Sequence, residues 1–156
     1  DDQAGTATYR LPAAAGDGYT LMGSATVRAD FKLTDTNSQV AARLLDVDPD
    51  GKETLVARGI WRPKTAPGFV RQVFQLHPNG WNFAAGHTAK LELLPADSPY
   101  GRASDGQQNV VVRHLQLRLP VLEKPGSRNG IKARAAKVVP KGYKLALEFR
   151  RGKKAR

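Results

Sequence analysis

Over most of the first 120 residues, apolar and polar positions alternate with period two, the mark of strands with one buried face. The clearest run is 25–33 (ATVRADFKL), where Ala25, Val27, Ala29 and Phe31 take turns with polar residues. Before it, 5–10 (GTATYR) predicts a short strand closed by Pro12 and a small-residue loop, and 19–33 predicts a long extended stretch broken at Gly23-Ser24. Residues 39–47 (QVAARLLDV) and 54–61 (TLVARGIW) predict two further strands, joined by Asp48-Pro49-Asp50-Gly51, a strong hairpin signal. Residues 69–77 place Val70, Val73, Phe74 and Leu76 as core positions. After a tight turn expected at Asn79-Gly80 and a crossover over 80–85, residues 87–94 carry Ala89, Leu91 and Leu93 on one face. In the last firm strand, 109–119, Leu115, Leu117 and Leu119 repeat with period two.

Between these runs lie a polar turn at 34–38, a loop at 64–68 and a long polar connection at 95–108. About eight short strands with Gly/Pro turns, and no convincing helix before 140, predict an all-β chain. A jelly-roll β-sandwich over 1–120 is the expected architecture. After Pro120 the alternation stops. Residues 121–156 read as a basic C-terminal arm, partly disordered or packed on a partner domain, with one short regular stretch at 143–149.

Charge sharpens that division. The 156 residues carry a formal net charge of +11. Residues 121–156 hold 12 Lys/Arg against 2 Asp/Glu, whereas 1–120 hold 13 against 12. The basicity therefore belongs to the arm, and a near-neutral sandwich disfavours nucleic acid as the partner. No run approaches the ~20 apolar residues that span a bilayer. Zero cysteines exclude disulfides and thiolate metal sites. They leave the compartment open between secreted and cytoplasmic, with secretion slightly favoured. The start at Asp1-Asp2 leads us to expect a processed chain or an excised piece.

Candidate chemistry is sparse. His77, His87 and His114 show no metal-ligand spacing, and no carboxylate stands beside any of them in the chain, so each reads as a structural histidine. Ser24, Ser38, Ser98, Ser104 and Ser127 stand in no G-x-S-x-G elbow, and no triad can be assembled. The acidic stretch Asp46–Gly51 reads as a turn rather than a calcium loop, which needs more oxygen ligands. Trp61, Trp81, Phe83 and Tyr100 offer a sugar-stacking surface only if they are exposed together, and Trp61 reads as core. No catalytic, cofactor or metal residue is assigned.

Three segments carry a family resemblance: ARLLDVDPDGKETLVARGIWRP, QLHPNGWNFAAGHTAKLELLPADSPYGRAS and VVRHLQLRLPV. Together they resemble the C-terminal β-sandwich of the X-Pro dipeptidyl-peptidase/cocaine-esterase serine hydrolases (CocE/NonD, peptidase S15). Arg43, Asp46, Pro49, Gly51, Arg58 and Gly59 match its first motif, and Leu76, Gly86, His87, Leu91, Asp97 and Pro99 its second. The resemblance covers roughly 20–121 and implies a galactose-binding-like jelly roll. It also implies a non-catalytic accessory role. The triad would lie in an α/β-hydrolase domain of the same parent protein, against which this sandwich packs and whose substrate entrance it helps shape. Trp81, His87, Asp97, Pro99 and Tyr100 are the candidate docking or entrance residues, with Pro99 and Tyr100 as anchors. His87 is expected to order both its strand start and the Asp97 loop. The alternative reading is a self-standing carbohydrate- or polyanion-binding module.

Overall fold

A computed structural model describes residues 5–33, 39–62, 67–102 and 109–123. Among them run nine strands and no helix: β1 (Ala7–Arg10), β2 (Tyr19–Gly23), β3 (Thr26–Leu33), β4 (Val40–Val47), β5 (Glu53–Trp61), β6 (Val70–Gln75), β7 (Asn79–Phe83), β8 (Thr88–Leu94) and β9 (Val110–Arg118). One sheet has the order β1-β8-β4-β5, with every pairing antiparallel. The other layer contains β6-β3-β9 and the ribbon β2-β7. The chain beyond β9 joins these two pieces. Val121 bridges Leu21, Met22 N–H donates to the Pro120 carbonyl (2.9 Å), and Leu122 N–H donates to that of Thr20 (3.0 Å). Thr20 N–H in turn donates to the Glu123 carboxylate (2.9 Å). Backbone pairing with β2 thus runs from Pro120 to Leu122, and the Glu123 side chain caps it.

The inner faces share one core, in which Leu21, Val27, Phe31, Leu44, Phe83 and Leu91 are fully buried. Tyr19 stacks on Phe83 with centroids 4.9 Å apart, and Trp61 stacks on Phe74 at 5.6 Å. The expected core faces of β3 and β8 are correct: Ala25, Val27, Ala29 and Phe31, and Ala89, Leu91 and Leu93, are all buried. This is the all-β jelly-roll sandwich that the alternation predicts.

Local chemistry explains the β4–β5 connection. Gly51 takes φ +86°, and Asp48 Oδ1 accepts from the N–H groups of Asp50 (3.0 Å) and Lys52 (2.8 Å). β5 also carries a bulge: Leu44 faces Ala57 and Leu45 faces Leu55, so Val56 has no partner of its own. Val56 is nonetheless buried, and its carbonyl accepts from Asn79 Nδ2 (2.7 Å). β5 then closes against the segment after β6. His77 N–H donates to the Arg58 carbonyl (2.9 Å), and a Cβ on Gly59 would come within 3.3 Å of Gln75 O and Leu76 Cα.

Three expectations change. Asn79-Gly80 is no turn, and most of the expected 80–85 crossover is strand: Asn79–Phe83 form β7, whose pairing with β2 supplies the backbone partners a loop would lack. Val73 points outward and is 53% exposed, because Gln72 and Phe74 take the inner positions of β6. Trp61 is half-buried at the core margin, its indole N–H donating to Gln72 (3.1 Å). The expectations for 34–38, 64–66, 103–108 and residues 124–156 of the arm, with its 143–149 stretch, lie outside the described residues.

Candidate functional site

Along β4 the pleat sends Ala42, Leu44 and Asp46 inward and Arg43 outward. Register places Arg43 directly opposite Arg58 on β5, with Glu92 on its other side. Two guanidiniums face to face repel. The segment after β8 resolves this by folding back over the sheet and inserting Asp97, which is 1% exposed. Asp97 Oδ1 accepts from Arg43 Nε (2.9 Å) and Nη2 (2.5 Å). Its Oδ2 lies 3.7 Å from Arg58 Nη1 and makes no hydrogen bond among the described residues.

That ion cluster ties the 95–102 loop to the outer face of the sheet. Gly101 N–H donates to the Asp97 carbonyl (2.7 Å), closing a tight turn. A Cβ at Gly101 would come within 1.9 Å of Ile60 Cδ1, so glycine lets the loop lie on β5. The Gln39 side-chain amide donates to the Arg102 carbonyl and anchors the far end. Tyr100 lies over Arg58, its ring centroid 5.0 Å from the guanidinium carbon, and its hydroxyl shares a 2.5 Å hydrogen bond with His77 Nε2. Pro99 and Tyr100 are exposed, beside Ile60 (38% exposed).

The cluster continues across the outer face of the sheet. Lys90 Nζ lies 2.7 Å from both Glu53 and Glu92, and Arg10 lies 3.8 Å from Glu53. Burial alone would pull the Lys90 ammonium down, but the hydrogen bonds to Glu53 and Glu92 outweigh it and leave its pKa raised.

Trp81 and His87 meet elsewhere, on the inner face. Asp46, 4% exposed, accepts from Trp81 Nε1 (3.0 Å) and from His87 Nδ1 (3.0 Å to each oxygen). Gly86, at φ +81° and packed so that a Cβ would lie 3.3 Å from Pro49 Cγ, leads directly into His87. Burial, and then the charge of Asp46, push the nearby Tyr19 phenol up; its buried hydroxyl has no hydrogen-bond partner among the described residues.

The five candidate residues therefore separate into two groups on opposite faces of one sheet. Asp97, Pro99 and Tyr100 share the outer loop, whereas Trp81 and His87 share Asp46. His87, expected to order both its strand start and the Asp97 loop, bonds Asp46 and not the Asp97 loop. Carboxylates absent beside the histidines in sequence arrive from other strands: Asp46 reaches His87, and Asp30 reaches His114. The four aromatics form no common surface, since Phe83 is fully buried and Trp61 lies against Phe74. Sequence reasoning missed the Lys90–Glu53–Glu92 network. Its signal was Lys90 and Glu92 at the outward positions of a strand whose inward positions are all apolar.

Solved structures of similar fold are parts of much larger enzymes. One is an aminopeptidase from the marine sediment archaeon Thaumarchaeota archaeon, at TM-score 0.65 and 10% identity, covering 78% of this chain and 26% of that one. An alpha-amino acid ester hydrolase matches at TM-score 0.61 and 17% identity, covering 78% and 26%. A CocE/NonD family hydrolase from Staphylococcus aureus matches at TM-score 0.59 and 15% identity, covering 75% and 30%. The present chain thus spans less than a third of each. No curated protein matches it in sequence. The model of the X-Pro dipeptidyl-peptidase C-terminal non-catalytic domain matches residues 3–118, and the chain belongs to that family.

Proposed function

We propose that this sandwich is the accessory domain of an α/β-hydrolase-type serine peptidase or esterase, packs on its catalytic domain and helps shape substrate access. The observation that carries the reading is the 95–102 loop, pinned from beneath by Asp97 between Arg43 and Arg58. A loop so held presents Pro99 and Tyr100 without losing conformational freedom on docking, which is what an interface anchor requires. Leu55 and Ile60, 37% and 38% exposed, extend the apolar strip along β5. Membership of a family described as non-catalytic supports the division of labour. Trp81 and His87 act from behind, fixing the strand ends that carry the loop-bearing sheet.

In the complete hydrolase, Tyr100→Ala weakens docking by about 2 kcal/mol, the scale of an interface tyrosine. This is read as a lower melting temperature of the whole enzyme and a raised KM. The present chain alone loses under about 1 kcal/mol in urea unfolding, because the ring's contact with Arg58 is exposed. An unchanged KM and melting temperature in the complete enzyme sink the reading.

A further inference from the structure

The two outer faces of the sandwich differ in charge. On β1-β8-β4-β5 the cations Arg10, Arg43, Arg58 and Lys90 face Glu53, Glu92 and Asp97, and each takes part in an ion pair. The outer face of β6-β3-β9 is built otherwise. Residues opposite one another in an antiparallel pair point to the same side. Register therefore puts Arg28 beside Val73 and Gln116, Asp30 between Arg71 and Arg113, and Lys32 beside Val111. Arg118 ends the face opposite Thr26. Among the described residues, five cations share this surface with one carboxylate.

That carboxylate is already engaged. Asp30 accepts from Arg71 Nε (2.7 Å) and Nη2 (3.3 Å) and from His114 Nδ1 (2.8 Å), and Arg113 Nε lies 3.8 Å away. A bulge in β9 makes this possible: His114 and Leu115 together oppose Ala29, and His114 takes φ +53°, rare for a residue with a side chain. Arg113 is held from the other side by the Phe69 ring, 3.7 Å from its guanidinium carbon. Among the described residues no carboxylate pairs with Arg28, Lys32 or Arg118. Val73 and Val111, 53% and 50% exposed, stand between these charges. At the margin Thr26, Gln75 and Arg118 meet Met22, Leu119 and Pro120 around an open groove of about 450 Å³.

We propose that the outer face of β6-β3-β9 is a docking surface for an acidic protein partner. The partner's carboxylates meet Arg28, Lys32, Arg113 and Arg118, and its apolar side chains cover Val73 and Val111. Charge complementarity selects an anionic partner. The interspersed valines select a protein, because a sheet that binds nucleic acid offers aromatic rings for bases to stack on, whereas aliphatic side chains among charges suit a protein interface. The inference is independent of the role given to the 95–102 loop.

The test uses the full chain and a fluorescent random copolymer of glutamate and tyrosine, followed by anisotropy. Arg28→Glu/Lys32→Glu/Arg118→Glu is expected to weaken binding about tenfold or more. The same three sites changed to glutamine give an intermediate loss and serve should the reversed variant not fold. Val73→Ser/Val111→Ser weakens binding of the copolymer but leaves binding of plain polyglutamate unchanged. Arg150→Gln/Arg151→Gln/Lys153→Gln/Lys154→Gln separates the arm: if only this variant loses binding, the proposal is overturned. It is overturned equally if the face variants lose duplex DNA or phosphatidylserine vesicles as strongly as the copolymer, since the surface would then read charge alone.

Discussion

Asp97 and Asp30 solve the same problem on opposite outer faces. Register makes Arg43 and Arg58 direct neighbours and sets Arg71 and Arg113 on either side of Asp30, and in each case a nearly buried carboxylate between the cations offsets their repulsion. For Asp30 the consequence is measurable. Hydrogen bonds from Arg71, and then from His114, hold its carboxyl down at about 2, below its ordinary 3.8. A carboxyl with a depressed folded pKa adds stability that is fully present above its unfolded value. That contribution is lost as pH falls from about 4 towards 2. Urea unfolding between neutral pH and pH 2 is therefore expected to show a steeper loss in the parent chain than in Asp30→Asn, which has no carboxylate to titrate. Parallel curves for the two proteins would mean that Asp30 carries no differential charge interaction.

At the scale of elements, two glycines with positive φ separate backbone strain from steric fit. Gly51 in the β4–β5 turn has φ +86° and open space where a Cβ would stand. Gly51→Ala then costs only the left-handed backbone, about 1 kcal/mol. Gly18, before β2, has φ +77°, and a Cβ there would lie 2.2 Å from the Phe83 carbonyl oxygen. Gly18→Ala adds a clash with the backbone of β7 and is expected to cost about 3 kcal/mol or more. Denaturation midpoints of the two variants rank these costs; equal midpoints would contradict the close approach of β2 and β7. The two positions also differ in how openly the chain announces them. Gly51 is legible because Asp-Pro-Asp-Gly is turn chemistry over four consecutive residues. Gly18 looks like any loop glycine, since its reason lies in a strand more than sixty residues away.

For the whole molecule, the stretch from Pro120 to Glu123 adds a backbone link between β2-β7 and β6-β3-β9 beyond the direct connections of the chain. Burial pushes the Glu123 carboxyl up, but the Thr20 N–H it accepts outweighs this and leaves its pKa lowered. A chain ending after Pro120 loses the Val121 contact with the core, one backbone hydrogen bond and the Glu123 cap. It is expected to be about 2–4 kcal/mol less stable than one ending after Glu123. Guanidinium unfolding of the two truncated chains checks this, and equal stabilities would show that the two halves of the layer hold together without the link.

Period-two alternation by itself determined the all-β class, most of the strands and the inner faces of β3 and β8, because burying one face of a sheet imposes that pattern locally. The Asp-Pro-Asp-Gly hairpin was legible for the same reason. Resemblance in two ordered motifs pointed to the family, yet not to why those residues recur together. Only the tertiary structure paired them: Arg43 and Arg58 with Asp97, Asp46 with His87, Gly59 with Leu76, and Pro49 with Gly86. It also turned Asn79-Gly80 from a turn into a strand, because β2 supplies hydrogen-bond partners that no local signal reveals. The division of the five candidate residues between two faces was decided there as well. Which side a residue faces follows from the pleat, but what waits on that side is set by strands distant in the chain.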